Sequence, residues 1–121
     1  MSHISMIMTK LVSVQHIIRA LEDMGFSEVW TRDGDEIIIP AKKTGIPKRD
    51  VRFSRMKDGR FKAQITNFDL RKFNPTWVQK LTQRYAYHVA MDTLKEQNFE
   101  MIEESVERGG TIHLTLRRMA G

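Results

Sequence analysis

The chain has 121 residues, 40% of them apolar and 29% charged, with a net charge of +5 and no cysteine. That length suits a single domain spanning 1–121, and the composition is that of a globular chain rather than a disordered or fibrous one. Without cysteine there are no disulfides or thiolate metal sites, and Lys10 interrupts the one apolar stretch near the start, so neither a secretory segment nor a bilayer span is expected and the chain reads as cytoplasmic.

Ile4 to Val12 is rich in β-branched and flexible apolar residues and is expected to be a strand, after which Ser13 can accept a bond from the free amides of a new helix. Val14, Ile17, Ile18, Leu21 and Met24 recur at helical spacing, and Gly25 supplies the left-handed residue that ends the run. Glu28 to Thr31 and Glu36 to Ile39 are expected strands joined across Arg32-Asp33-Gly34-Asp35, whose Asp-Gly favours a hairpin turn; Pro40 stops the second. Between Ala41 and Asp50, Lys42, Lys43, Gly45, Pro47, Lys48 and Arg49 resist regular structure and predict an exposed cationic loop.

The hairpin around Asp58-Gly59 has two available registers. A two-residue loop would put Val51 and Phe53 on the face of Lys62 and Gln64. A three-residue loop with Gly59 left-handed instead unites Val51, Phe53, Phe61, Ala63 and Ile65, and leaves Arg52, Arg60, Lys62 and Gln64 to solvent. The second register is preferred. Asn74-Pro75 then starts a helix that should run to about Gln97, because Asn caps free amides and Pro at the first position loses no bond. At 100° per residue, Val78, Leu81, Thr82, Tyr85, Ala86, Val89 and Thr93 form its expected core face, with Lys80, Tyr87 and Met91 roughly opposite. Glu100 to Glu107 and Thr111 to Met119 close the chain as a hairpin, Ile112, Leu114 and Leu116 inward and His113 outward. The order β-α-β-β-β-β-α-β-β implies an α+β domain with a mostly antiparallel sheet and two helices packed on one face.

Leu81-Thr82-Gln83-Arg84-Tyr85-Ala86-Tyr87-His88 inside the long helix, then Glu96-Gln97-Asn98-Phe99, form the most distinctive stretch of the chain. With Met1-Ser2-His3-Ile4, Leu21-Glu22-Asp23-Met24-Gly25-Phe26 and Gly110-Thr111-Ile112-His113-Leu114, it resembles the hypothetical chloroplast open reading frame 35 family, a domain of unknown function in plastids, cyanobacteria and some bacterial and phage genomes. The resemblance implies a fold and carries no reaction to transfer. Family members usually have an aromatic and acidic stretch ahead of the Gln-Arg-Tyr motif, where this chain has Arg52, Arg55, Lys57, Arg60 and Lys62.

Arg84, His88 and Asp92 lie on one i, i+4 row, so the carboxylate can orient the imidazole beside a guanidinium. The set is incomplete for catalysis, and no enzyme is expected. Tyr87 and Met91, with Arg84 beside them, read either as a contact patch or as positions sealed under the terminal hairpin or the loop after Pro40. No two of the four histidines have ligand-pair spacing, and there is no phosphate loop or dinucleotide fingerprint, so no metal or cofactor is expected; His113 faces the Glu103 to Glu107 strand as a charge partner.

Residues 41–72 hold eleven basic against three acidic residues, while the rest of the chain holds nine basic and twelve acidic. Such a cluster attracts phosphate polymers, anionic membranes or acidic protein faces. The leading expectation is a non-enzymatic binding or adaptor protein that docks a protein partner through Gln83, Arg84, Tyr87, His88 and Met91. The alternative is a nucleic-acid or other polyanion-binding protein using Lys42, Lys43, Lys48, Arg49, Arg52, Arg60 and Lys62, with Trp77, Phe68 or Phe73 adding stacking. An exposed strand edge could also support a homodimer.

Overall fold

The computed structural model describes residues 3–119. Strand β1 (Ile4–Met8) leads into helix α1 (Val14–Asp23), then β2 (Trp30–Arg32), β3 (Glu36–Ile39), β4 (Val51–Arg55), β5 (Phe61–Thr66), helix α2 (Pro75–Glu96), β6 (Phe99–Val106) and β7 (Ile112–Arg118). The first five strands form one antiparallel sheet in the order β1-β5-β4-β3-β2, and β6 and β7 form a separate two-stranded ribbon. This is the expected α+β architecture and element order.

The β4–β5 register is the one that hydrophobic alternation prefers. Arg55 pairs with Phe61 and Phe53 with Ala63, Gly59 is left-handed at φ 91, and Val51, Phe53, Phe61, Ala63 and Ile65 are all fully buried. They meet Ile37 and Ile39 of β3, Ile17, Ala20 and Leu21 of α1, and Trp77, Val78 and Leu81 of α2 in one core. Both helices start as their caps dictate: the Ser13 hydroxyl accepts from the His16 amide, and the Asn74 side-chain Oδ1 accepts from the Trp77 amide at 2.9 Å. Helix α1 ends with the Phe26 amide bonded to the Leu21 carbonyl and the Gly25 amide to that of Glu22, a Schellman pattern that drops Phe26 into the core.

Three elements depart from expectation. Strand β1 stops at Met8 rather than Val12, because Thr9 turns inward, its hydroxyl taking up the Leu11 amide. Strand β2 is Trp30–Arg32 rather than Glu28 to Thr31; continuing its register would set Glu28 against Pro40, which has no N–H to give. In α2 the core side includes Trp77, while Ala86 and Thr93 are exposed. Trp77 meets Phe73 at 4.7 Å, Phe26 at 5.9 Å and Phe53 at 6.4 Å between ring centroids. Neither Trp77 nor Phe73 is therefore available for stacking on a ligand.

The sheet's other face carries no helix. Register places Trp30, Ile38, Arg52, Gln64 and Met6 in one row across it. Ile4, Met6, Met8 and Trp30 are exposed on this face, whereas Ile38 is fully buried although it points away from the core.

Candidate functional site

The β3–β4 connection is held open by buried carboxylate chemistry. Asp69, only 2% exposed, accepts from the amides of Lys48 at 2.8 Å and Arg49 at 3.0 Å and from the Thr66 hydroxyl at 3.2 Å. Asp50 accepts from the Ala41 amide, and the Lys42 amide donates to the Pro47 carbonyl. Because the backbone is tied down from within, the side chains of this loop point out. Lys42, Lys43, Lys48 and Arg49 line a depression of about 470 Å³ together with Gly45 and the 67%-exposed ring of Phe68. No carboxylate lines it, and among the described residues none of these four cations has an ion-pair partner.

The remaining members of the predicted cationic set lie elsewhere. Arg52 and Lys62 sit half-buried on the helix-free sheet face, Arg52 with its Nε 3.8 Å from Glu36. Arg60 lies past the far end of β4 and is engaged by Asp58 at 2.7 Å. Arg55 is structural: it bonds Asp35 and the carbonyls of Val12 and Gly59, with its guanidinium 4.4 Å over the Phe61 ring. Asp69 was not visible as a site residue in the sequence, since one acid in a basic run reads as surface.

The α2 motif is half-buried rather than presented as a bare docking face. Arg84 bonds Asp23 of α1 through Nε at 3.0 Å and Nη2 at 2.8 Å, and His88 Nε2 lies 2.6 Å from the same Asp23 oxygen. The Tyr87 hydroxyl donates to Glu104 of β6 at 3.1 Å, and the Arg84 guanidinium lies 4.5 Å over the Tyr87 ring. Gln83 lies under the hairpin turn: a side chain at Gly110, where φ is +88, would meet Gln83 Oε1 at 2.6 Å. Met91 is half-buried. Gln83, Arg84, Tyr87 and His88 form a joint between α1, α2 and the β6–β7 hairpin, in which the hairpin covers Gln83 and Tyr87 and Asp23 of α1 engages Arg84 and His88.

Asp92 does not orient His88 as the i, i+4 row suggests. It faces His16 Nε2 at 2.8 Å and Arg19 at 2.9 Å, because α1 lies along this side of α2 and brings its own donors to the carboxylate. Each helix thus gives one aspartate to a histidine and an arginine of the other. Burial acts to raise the Asp23 pKa, but hydrogen bonds from His88 and Arg84 and the guanidinium charge outweigh it and hold the carboxyl below its ordinary range. The hydrogen bond from His16 leads the causes that hold Asp92 low, opposed by desolvation and helped by Arg19. For Tyr87, burial and then Glu104 push the phenol up.

A depressed folded-state carboxylate contributes stability that is complete above its unfolded pKa and is lost as pH falls through the folded one. The α1–α2 joint is therefore expected to weaken below about pH 4. Urea denaturation of the wild type should lose more stability on going from pH 5 to pH 3 than the Asp23→Asn/Asp92→Asn variant does; parallel losses would contradict the ion-pair assignment.

His113 meets Glu107 at 2.8 Å, the charge partnership expected across the terminal hairpin. Among the described residues no three potential ligands converge on a metal site, and no helix is long and apolar enough to cross a membrane.

The family model described as "Protein of unknown function (DUF1257)" matches residues 20–115 of the chain. Three proteins bearing the name "Uncharacterized protein ycf35" are similar over 98% of this chain and 98% of their own length: that of Cyanophora paradoxa at 25% identity, that of Pyropia yezoensis at 25% and that of Guillardia theta at 26%. No solved structure matches.

Proposed function

We propose, from the premise that this chain belongs to the DUF1257 family of proteins of unknown function, that it is a small non-enzymatic binding protein whose ligand is a polyanion. The observation that carries this reading is the cluster of Lys42, Lys43, Lys48 and Arg49 around one depression with an exposed Phe68 and no carboxylate in its lining. Four unneutralised cations repel one another, and a phosphate polymer would relieve that repulsion while releasing its own condensed counterions. Asp69 supports the reading because it fixes the loop by its amides and leaves its charges free. Such a ligand belongs to the aqueous cytoplasm or stroma.

Protein docking on α2 is the second reading. It draws on Arg84, whose side chain is still 29% exposed within the joint, and it requires the partner to compete with Asp23 and Glu104. One comparison separates the two. In filter binding to an oligonucleotide at low salt, Lys48→Ala/Arg49→Ala should bind at least about tenfold more weakly than wild type, since each lost phosphate contact removes released counterions. Arg84→Ala/Tyr87→Ala should bind like wild type. The reverse ranking would transfer the function to the helix joint.

A further inference from the structure

We infer that the polyanion is a single-stranded nucleic acid, its phosphates on the cationic loop and its bases on the helix-free sheet face with Trp30 as the stacking platform; this rests on the anion-binding reading above. The cross-strand row from Trp30 through Arg52 and Gln64 to Met6 spans five strands, about 19 Å at the usual strand spacing. Trp30 is 47% exposed at one end and Met6 is 53% exposed at the other. Beside that row Arg32 and Lys62 share the face, and neither has an ion-pair partner among the described residues. The face is not uniformly positive, since Glu36 stands 3.8 Å from Arg52.

The two central strands of this face connect it to the cationic depression. Ile39 ends β3 and Val51 begins β4, and the loop carrying Lys42, Lys43, Lys48 and Arg49 runs between them. A chain lying across Ile38 and Arg52 therefore reaches the four cations by following either strand to that end. Half-exposed indole, adaptable methionine and a glutamine amide beside unpaired cations are what unstacked bases on a charged backbone use: π-faces on aromatics, edges on polar groups, phosphates on Lys and Arg. A duplex keeps its bases stacked inside, and a sulfated polysaccharide or acidic peptide leaves Trp30 without a planar partner. A second copy of the chain would bring Arg32, Arg52 and Lys62 against themselves.

The chain contains two tryptophans, and Trp77 is sealed in the core at 8% exposure, so quenching of the exposed indole reports Trp30. The test titrates the intact chain at low salt with oligouridylate and oligothymidylate of about 15 nucleotides, a matched duplex and heparin, following fluorescence and anisotropy. Expected are quenching by a single strand and tighter binding to it than to duplex. Trp30→Ala should weaken single-strand binding roughly ten- to hundredfold, leave heparin binding unchanged, and be rescued largely by Trp30→Phe. Which of the two oligomers binds tighter tells RNA from DNA, and either supports the inference. Equal binding of single strand, duplex and heparin without quenching overturns it while the anion reading stands. A dimer that Trp30→Ala dissociates overturns it in favour of self-association, and no binding to any of the four overturns both readings.

Discussion

Trp77→Ala is expected to cost about 3–5 kcal/mol in urea denaturation, the range for removing a buried aromatic from a packed core. Trp77 is the residue through which α2 grips the sheet: its ring meets Phe73 edge-on at 4.7 Å, Phe26 at 5.9 Å and Phe53 at 6.4 Å. Phe53 belongs to the middle strand of the sheet, Phe26 follows α1, and Phe73 precedes α2. One side chain thus joins both helical ends to the sheet, and alanine leaves a cavity that three rings cannot close without moving their own elements. Domains of this kind hold about 5–15 kcal/mol in total, so the variant should sit near the edge of folding. A loss below about 1 kcal/mol would mean that the ring cluster does not anchor α2.

Asp69→Ala is expected to cost about 2–4 kcal/mol and to free the cationic loop. Its carboxylate takes up two loop amides and a hydroxyl while almost wholly buried, so alanine leaves three part-buried donors without their acceptor. The loop then opens to restore their hydration, which trypsin should detect as faster cleavage at Lys42, Lys43 and Lys48. Asp69→Asn keeps one acceptor oxygen and should fall between. Unchanged stability and unchanged cleavage would remove the claim that this residue positions the site.

Local chemistry made much of this molecule readable. Ser13 and Asn74 mark their helix starts, and the alternation through Val51, Phe53, Phe61, Ala63 and Ile65 selects the β4–β5 register because the other register buries charge. The cationic loop is equally plain from its composition. The phase of α2 is less so, since its buried residues Trp77, Val78 and Leu81 lie near its start, Tyr85 packs only partly against the core beyond them, and the helix also packs on α1 and the hairpin. Its buried direction therefore rotates along its length, and one averaged stripe wrongly includes Ala86 and Thr93. The partners of the α2 motif were out of reach for another reason. Asp23 lies 65 positions from His88 and Glu104 lies 17 from Tyr87, so their pairing depends on how helices and hairpin come together. Trp30 is not legible as a surface platform because the side of the sheet it takes is set by its pairing with Ile38, which the short, irregularly patterned β2 segment does not reveal.

The measurement that bears most directly on a phosphate-binding role is the salt dependence of wild-type affinity for an oligouridylate between 50 and 200 mM monovalent salt. Four cations each displacing about 0.7 counterion predict log affinity falling against log salt with a slope near about −3. A slope near zero, or no binding at 50 mM, would contradict the role assigned to Lys42, Lys43, Lys48 and Arg49.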